Sequence, residues 1–389
     1  MITLQITLSA LVAFLGTKWI HPYILQIAKI KNIVDNPDAR KLQRIPIPVL
    51  GGISVVFGIL LGAISFNLFG DFDELLMILA ATTIMMLVGL IDDILELLPR
   101  VKFSAEILIV LALICATDIH INDFSGLWGL HTIHDIISIP LTVFACVGII
   151  NAINLIDGVD GYSSGYCVVA CILFGSMFYF LGDIKMTALA AMVAGALIPF
   201  FFHNVFGKYS KMFIGDAGTL AMGIIMSSFV VHILSAETGC CNINPNLGLI
   251  PFTLAVMCIP IFDTLRVMSA RIARKKSPFY PDKTHLHHLF IDLGFSHIGT
   301  TFSIICINLF VVLCWFITYK MGVSIDVQLY IVIGLGLLVT FVFYWFMRRQ
   351  IRKESVLYRF MLTLGKLSHI ERKGIWELLQ KWLDRGISA

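Results

Sequence analysis

The sequence predicts an all-α fold, a polytopic bundle of transmembrane helices, and three observations predict it. Hydrophobic residues make up 58% of the chain and charged residues 14%, with a mean hydropathy of +0.90, so 389 residues cannot present a polar surface around a water-soluble core. Apolar stretches long enough to cross about 30 Å of hydrocarbon as helices recur from end to end. The basic residues fall in short clusters on alternate loops, and the net charge is only +3, which signals topology and argues against a nucleic-acid partner.

Windows of roughly 17 to 25 apolar residues give about eleven spans, at 4–27, 48–69, 75–91, 104–121, 132–150, 163–181, 186–206, 214–235, 248–268, 300–319 and 328–347. Helices are the only structures that suit this pattern, because lipid offers no partners to open backbone groups. The first stretch has no basic residue before it, exceeds a signal-peptide core in length and is followed by Lys29, Lys31, Arg40 and Lys41; it reads as an uncleaved span. With the amino terminus outside, the inner loops hold Lys31, Arg44, Arg100, Lys102, Lys208, Lys211, Arg271, Lys276 and Lys283, together with the tail from Arg348. The outer loops keep Lys185 and Lys320, so the carboxyl terminus is expected in the cytoplasm.

Residues 1–347 read as one membrane domain and 348–389 as a basic amphipathic tail. In the tail, Leu357, Phe360, Met361, Leu364 and Leu367, then Leu378, Leu379, Trp382 and Leu383, recur at helical spacing among lysines and arginines. Such helices either lie on the inner leaflet or pack on the protein's own cytoplasmic loops. The nine cysteines sit mostly in apolar stretches without a CxxC pair and read as packing residues. Adjacent Cys240 and Cys241 receive no function.

Carboxylates near a bilayer cost a few kcal/mol each and call for a reason. Asp92 and Asp93 end the third span, Asn151, Asn154, Asp157 and Asp160 follow the fifth, Asp216 follows the seventh and Asp263 lies near the end of the ninth. All follow odd-numbered spans, so the topology drawn from basic residues puts every one on the cytoplasmic side. Adjacent Asp92 and Asp93 repel each other unless a cation sits beside them, and a sparse all-oxygen set suits Mg2+ better than zinc; solvated helix-end charges are the bland alternative. The stretch Asn151-Ala-Ile-Asn154-Leu-Ile-Asp157-Gly-Val-Asp160-Gly161 gathers amides and carboxylates within one helical turn and a glycine bend, more than capping explains. Gly215-Asp216-Ala-Gly218-Thr219 has the look of a loop whose backbone approaches a ligand, with Asp216 also placed to cap a helix. His285-Leu-His287-His288 is a poor zinc set, and beside Arg271, Arg274 and Lys283 it reads better as a phosphate-binding loop.

In this order, the segments resemble the polyprenyl-phosphate N-acetylhexosamine-1-phosphate transferase family of bacterial membranes. Asp35-Asn-Pro37 through Gly51-Gly52 resembles the first cytoplasmic loop of the branch that starts polysaccharide and teichoic-acid lipids. Asp92-Asp93 with Lys102, Asn151 to Gly161, Asn204 with Lys211 and Phe213 to Gly218, and Pro281 to His288 resemble the later motifs. Gln43 stands where that branch commonly has histidine, and Glu106 where glutamine is common.

The resemblance implies transfer of N-acetylglucosamine-1-phosphate, or a related N-acetylhexosamine-1-phosphate, from its UDP conjugate to undecaprenyl phosphate. UMP would leave and a lipid-linked cell-surface polysaccharide would begin. It further implies a bacterial inner-membrane enzyme with a cytoplasmic site and Mg2+, or Mn2+ in its place. Asp216 is expected on the metal, and Asp92, Asp93, Lys102, Asp157 and Asp160 in the catalytic group. Asn151, Asn154, Lys211, His285, His287 and His288 are expected on substrate. Lipid is a partner, nucleic acid is not, and a homodimer is left open. The rivals are a transferase of the phospho-MurNAc-pentapeptide type and a membrane transporter; the latter would place its charges near the midplane in repeated halves.

Overall fold

A computed structural model describes residues 2–37, 45–67, 73–240, 246–278, 282–369 and 373–387. Arg40, Lys41, Gln43, Arg44, Cys241 and Pro281, named above, lie outside these. The described residues form α1 (Ile2–Ile30), α2 (Gly51–Asn67), α3 (Asp73–Leu95), α4 (Pro99–Thr117), α5 (Asp135–Leu155), α6 (Tyr162–Phe180), α7 (Ile184–Phe206) and α8 (Gly215–Ile233). They continue with α9 (Leu249–Val256), α10 (Cys258–Ala273), α11 (Leu286–Asp292), α12 (His297–Lys320), α13 (Ile325–Leu337), α14 (Phe343–Arg352), α15 (Val356–Leu367) and α16 (Ile375–Leu383). A π-helical turn at Leu338–Val342 joins α13 to α14. Two short antiparallel strands, β1 (Val34–Asp35) and β2 (Ile47–Pro48), stand between α1 and α2.

The fold is therefore an all-α, multi-pass membrane protein, and each predicted apolar segment falls on a helix. The predicted count of about eleven spans is not confirmed. Among the described residues, eight helices are long and apolar enough to cross a bilayer, or up to nine if α9 and α10, bent by 70° at their junction, form one broken span. Two predicted spans fall short for different reasons. The α2 helix has only 17 residues, and α4 carries Arg100, Lys102 and Glu106 within 19.

The α8 helix is the axis of the bundle and is buried along almost its whole length, packed by α2, α3, α5 and α6. Small residues permit this approach, as is usual where helices meet without a hydrophobic driving force between them. A Cβ on Gly52 of α2 would lie 2.2 Å from the Gly218 nitrogen, and one on Gly89 of α3 would lie 2.3 Å from the Asp216 carbonyl oxygen. Backbone pairing reinforces the contact, since Gly51 and Gly52 donate to the carbonyls of Phe213 (2.9 Å) and Ile214 (2.8 Å). The start of α8 is thereby fixed against the ends of α2 and α3.

The tail helices touch the protein. Asp384, just past α16, accepts backbone N–H groups from Lys208, Tyr209 and Ser210, and Trp376 stacks on Phe206 at 5.0 Å. Gly365 of α15 lies against the Leu293–Gly294 backbone, and Ser296 and Ser368 are hydrogen-bonded. Val356, Phe360, Leu367, Ile375, Leu378 and Trp382 remain exposed. The tail thus both packs on its own loops and presents an apolar outer face.

Candidate active site

The carboxylates singled out in the sequence meet at one end of the bundle, around the first turn of α8. That turn has backbone N–H groups with no intrahelical partner and the positive end of the helix dipole, and Ile214, which precedes it, supplies no side-chain cap. Asp93, from the end of α3, fills the role: its Oδ1 accepts from the Asp216 N–H at 2.9 Å and its Oδ2 from the Ala217 N–H at 3.0 Å. Gly215, with φ of 67°, makes the turn that leads into this contact. Asp93 is therefore committed to holding the residue beside it in space.

Asp92 and Asp216 face each other across Lys102. The Lys102 ammonium lies 3.1 Å from Asp92 Oδ2 and also pairs with Asp216. Leu97 N–H donates to Asp92 Oδ1 at 2.8 Å, while Asn154 Nδ2 donates to Asp216 Oδ1 at 2.9 Å and to Thr219 Oγ1 at 2.8 Å. Side chains from α3, α4, α5 and α8 thus converge on one point. The Asp216 side chain is 32% exposed, so the point can be reached from solvent. Asn151 sits one turn deeper and donates to Glu106 Oε2 at 2.5 Å, tying α5 to α4.

A second group lies on the loop after α5. Asp160 Oδ2 accepts from Lys211 Nζ at 2.6 Å and pairs with His297 Nδ1 at 2.8 Å. Burial pushes the Asp160 carboxyl up, but the His297 hydrogen bond and the Lys211 charge outweigh it and hold the group below its ordinary range. Asp157 behaves in the opposite way. Burial, with the charges of Asp216 and Asp160 adding to it, pushes this carboxyl up to about 7 despite a hydrogen bond from Ser163. The loop that carries Asp157 and Asp160 lies beside the segment that leads into α8. Asn204 links them structurally, accepting the Gly161 N–H at 2.6 Å and donating to the Met212 carbonyl at 2.9 Å.

The three histidines of the last motif have different surroundings. His285 Nδ1 bonds Asp263 Oδ2 at 2.9 Å, and Asp263 also accepts from Arg266 at 2.6 Å. Arg266 in turn donates to the Thr284 carbonyl at 2.6 Å, so a buried triad anchors the loop. His287 packs against Tyr162, with its Nε2 where a Cβ on Gly158 would come within 2.2 Å. His288 is only partly buried. Burial and the neighbouring histidine charges lower His287 well below its ordinary value, and burial, with His285 beside it, lowers His288 to about 4. Both shifts favour the neutral imidazole, which can donate a hydrogen bond without carrying charge.

The structure gathers Asp92, Asp93, Lys102, Asn154 and Asp216 at one point, and Asp157, Asp160 and Lys211 around the adjoining loop. Asn151, His285 and His287 are placed behind them. His297 and Ser163 were not singled out in the sequence, where Thr219 figured only as the end of the Gly215–Thr219 stretch. His297 lies 137 residues from Asp160, and Ser163 stands two residues beyond the Asn151–Gly161 stretch, inside the apolar run of the next span.

The donor set fits a hard divalent cation. Two carboxylates already converge on a single cationic group, Lys102. The neighbouring side chains bring no sulfur: Asn154 turns its NH2 group to Asp216 and to the Thr219 hydroxyl.

Residues 75–234 match the family described as glycosyl transferase family 4. Over 316 residues the chain is 29% identical to a Bacillus subtilis (strain 168) protein named "Probable undecaprenyl-phosphate N-acetylglucosaminyl 1-phosphate transferase", covering 79% of this chain and 85% of that one. Over 290 residues it is 26% identical to an Escherichia coli O157:H7 protein named "Undecaprenyl-phosphate alpha-N-acetylglucosaminyl 1-phosphate transferase", covering 73% and 76%. A Yersinia pestis protein of the same name is 28% identical over 271 residues, covering 68% and 71%. The family resemblance read from the motifs is borne out.

Proposed function

From the premise that the chain belongs with the glycosyl transferase family 4 proteins it matches, we propose that it transfers N-acetylglucosamine-1-phosphate from UDP-N-acetylglucosamine to undecaprenyl phosphate, with UMP as leaving group. The names of the relatives support this sugar and this lipid over the phospho-MurNAc-pentapeptide and transport readings. The single observation that carries the chemistry is the convergence of Asp92, Asp216 and Lys102 at the solvent-reachable start of α8. Charges at one end of a bundle suit a reaction at the membrane surface better than transport through its midplane.

Mg2+ bound by Asp92 and Asp216 would offset the negative charge of the donor diphosphate; Mn2+ offers the same oxygen preference. The chain's own groups supply the rest. Asp93 accepts the N–H groups of Asp216 and Ala217, which makes it a positioning residue. Lys102 is a cation already shared between carboxylates and can turn toward phosphate oxygens. Lys211 and His297 keep Asp160 ionised for the uridine end of the donor, and Asn154 orients Asp216. His288 is our choice for a neutral donor to phosphate, with His285 and His287 fixing the loop beneath it.

The acceptor is a phosphate monoester with a second pKa near about 6, already largely ionised at neutral pH, so no strong base is needed. Its oxygen attacks the sugar-bearing phosphorus, forming the new P–O bond as the bond to the UMP oxygen breaks. Positioning and charge compensation then do most of the catalysis.

The basic inner loops support placing this face in the cytoplasm of a bacterial inner membrane, with the amino terminus outside. Residues 348–389 would form a separate cytoplasmic tail whose apolar outer side rests on lipid.

The test uses detergent-solubilised protein with Mg2+, undecaprenyl phosphate and UDP-N-acetylglucosamine. Metal-dependent UMP release, matched by labelled lipid and abolished by EDTA, is the expected result. Asp216→Asn should remain folded and lose nearly all turnover; activity within a few-fold of wild type would remove Asp216 from the metal. No turnover with this donor or with other UDP-N-acetylhexosamines would overturn the proposal.

A further inference from the structure

At the opposite end of the bundle, where no part of the proposed reaction lies, a second cluster of chemically capable side chains is built from four separate segments. His232 is in the last turn of α8, Glu74 in the first turn of α3, Asp183 caps the start of α7, and Cys240 follows the short turn after α8. The His232 imidazole is 4% exposed and Cys240 3% exposed. His232 Nε2 lies 2.6 Å from Asp183 Oδ2, and Nδ1 lies 2.6 Å from Glu74 Oε1. The Cys240 sulfur lies within 4.8 Å of the same ring. Gly239, with φ of 70°, turns the chain back so that the thiol reaches it.

Among the described residues, Asp183, His232 and Cys240 bring one candidate ligand atom each to within 4.8 Å of one another. A tetrahedral ion with bonds of about 2.0 to 2.3 Å holds its ligands about 3.3 to 3.8 Å apart, so the 2.6 Å contact between His232 Nε2 and Asp183 Oδ2 would open by roughly 0.7 Å as the ion enters and the Cys240 sulfur closes on it. We infer that Asp183, His232 and Cys240 form a second metal site, for a thiophilic divalent cation of the zinc class, at the end of the bundle away from the proposed active site.

The chemistry of the set selects the ion. Thiolate and imidazole favour zinc over magnesium, in contrast to the all-oxygen group at the other end. Glu74 completes the arrangement from outside the ligand set. With Nε2 on the ion, Nδ1–H donates to Glu74, the carboxylate–histidine–metal order that fixes the tautomer and ring orientation. Binding releases the proton of the Cys240 thiol, and any proton carried by Nε2, to solvent. Water occupies the fourth position, since three protein ligands are present. The ion would clamp the ends of α3, α7 and α8 to the loop after α8.

Cobalt is the probe, because a thiolate-to-cobalt charge-transfer band in the near ultraviolet reports sulfur ligation and is silent for Co2+ bound at Asp92 and Asp216. Full-length protein in detergent, stripped with chelator and kept reduced, is titrated with Co2+ and the band is then displaced with Zn2+. The expected result is a band saturating at one equivalent in wild type and in Cys241→Ala. It should be absent in Cys240→Ala and appear with about 10- to 100-fold weaker affinity in Glu74→Gln. Should Cys240→Ala fail to fold, Asp183→Asn, which keeps the side-chain size, is read for loss of affinity instead. A wild-type titration without the band, or a band that persists in Cys240→Ala or is unweakened in Asp183→Asn, would overturn the site and leave His232 as an imidazole clamped between two carboxylates. Each outcome is read without turnover and leaves the proposed transfer reaction untouched.

Discussion

Asp93→Asn separates a positioning role from a direct one. In the wild type both Asp93 oxygens accept N–H groups at the start of α8. Asparagine keeps one acceptor and turns an NH2 group toward the other N–H. One charge-assisted hydrogen bond, worth about 1.5 to 3 kcal/mol, is lost. A further ~0.3 to 1 kcal/mol of interaction with the helix dipole goes with the charge. The combined loss, about 2 to 4 kcal/mol, falls on the turn that carries Asp216. If all of it appears as misplacement of Asp216 in the transition state, turnover efficiency falls about 30- to 1,000-fold at roughly 1.4 kcal/mol per decade. The discriminating readout is the Mg2+ concentration for half-maximal activity, which should rise because Asp216 is less well placed. Melting temperature in the same detergent monitors folding. Activity within about threefold of wild type at an unchanged Mg2+ midpoint would refute the reasoning. Lost activity at an unchanged midpoint would make Asp93 a direct participant.

Gly158→Ala should cost at least about tenfold in kcat/KM with a smaller change in melting temperature, because the new Cβ lands 2.2 Å from His287 Nε2 and must push the histidine loop away; wild-type kinetics would show that the loop is free to give. Asp157 has a folded-state pKa raised to about 7, so the stability it contributes is fully present below the unfolded value near about 3.9 and is lost as pH rises toward 7. In EDTA, the melting temperature of Asp157→Asn relative to wild type should therefore climb between about pH 4 and pH 7 and level off above; a difference independent of pH would contradict that titration. Asp384→Ala removes the acceptor for three N–H groups of the turn at 208–210. It should lower stability by about 1 to 3 kcal/mol and leave turnover within a few-fold; total loss of turnover would place the tail in the catalytic machinery.

Hydropathy made the helical bundle legible because the bilayer constrains every span alike, and the predicted segments landed on helices. The span count was less legible. Hydropathy reads apolarity in a window and does not fix helix ends, so it left Arg100 and Lys102 outside a span that in fact begins at Pro99, and it does not foresee the 70° bend between α9 and α10. At the site, Asp92, Asn154, Asp160 and Asp216 stood out because polar groups at the end of apolar spans are costly. What each one touches was not readable. Asp93 looked equivalent to Asp92 in sequence, yet it faces helix amides while Asp92 faces Lys102. His285 and His287 read like their neighbour His288, but tertiary packing buries them against Asp263 and Gly158. His297 comes to Asp160 only through the packing of α12, which no local spacing records.

The central claim is that the sugar and its attached phosphate move together, and a donor labelled separately in the uracil ring and in the sugar-bearing phosphate tests it most directly. With undecaprenyl phosphate and Mg2+, the account predicts phosphate label in the lipid and uracil label in UMP, in equal amounts. Uracil label recovered as UDP, with the sugar on the lipid and the labelled phosphate left behind, would contradict it.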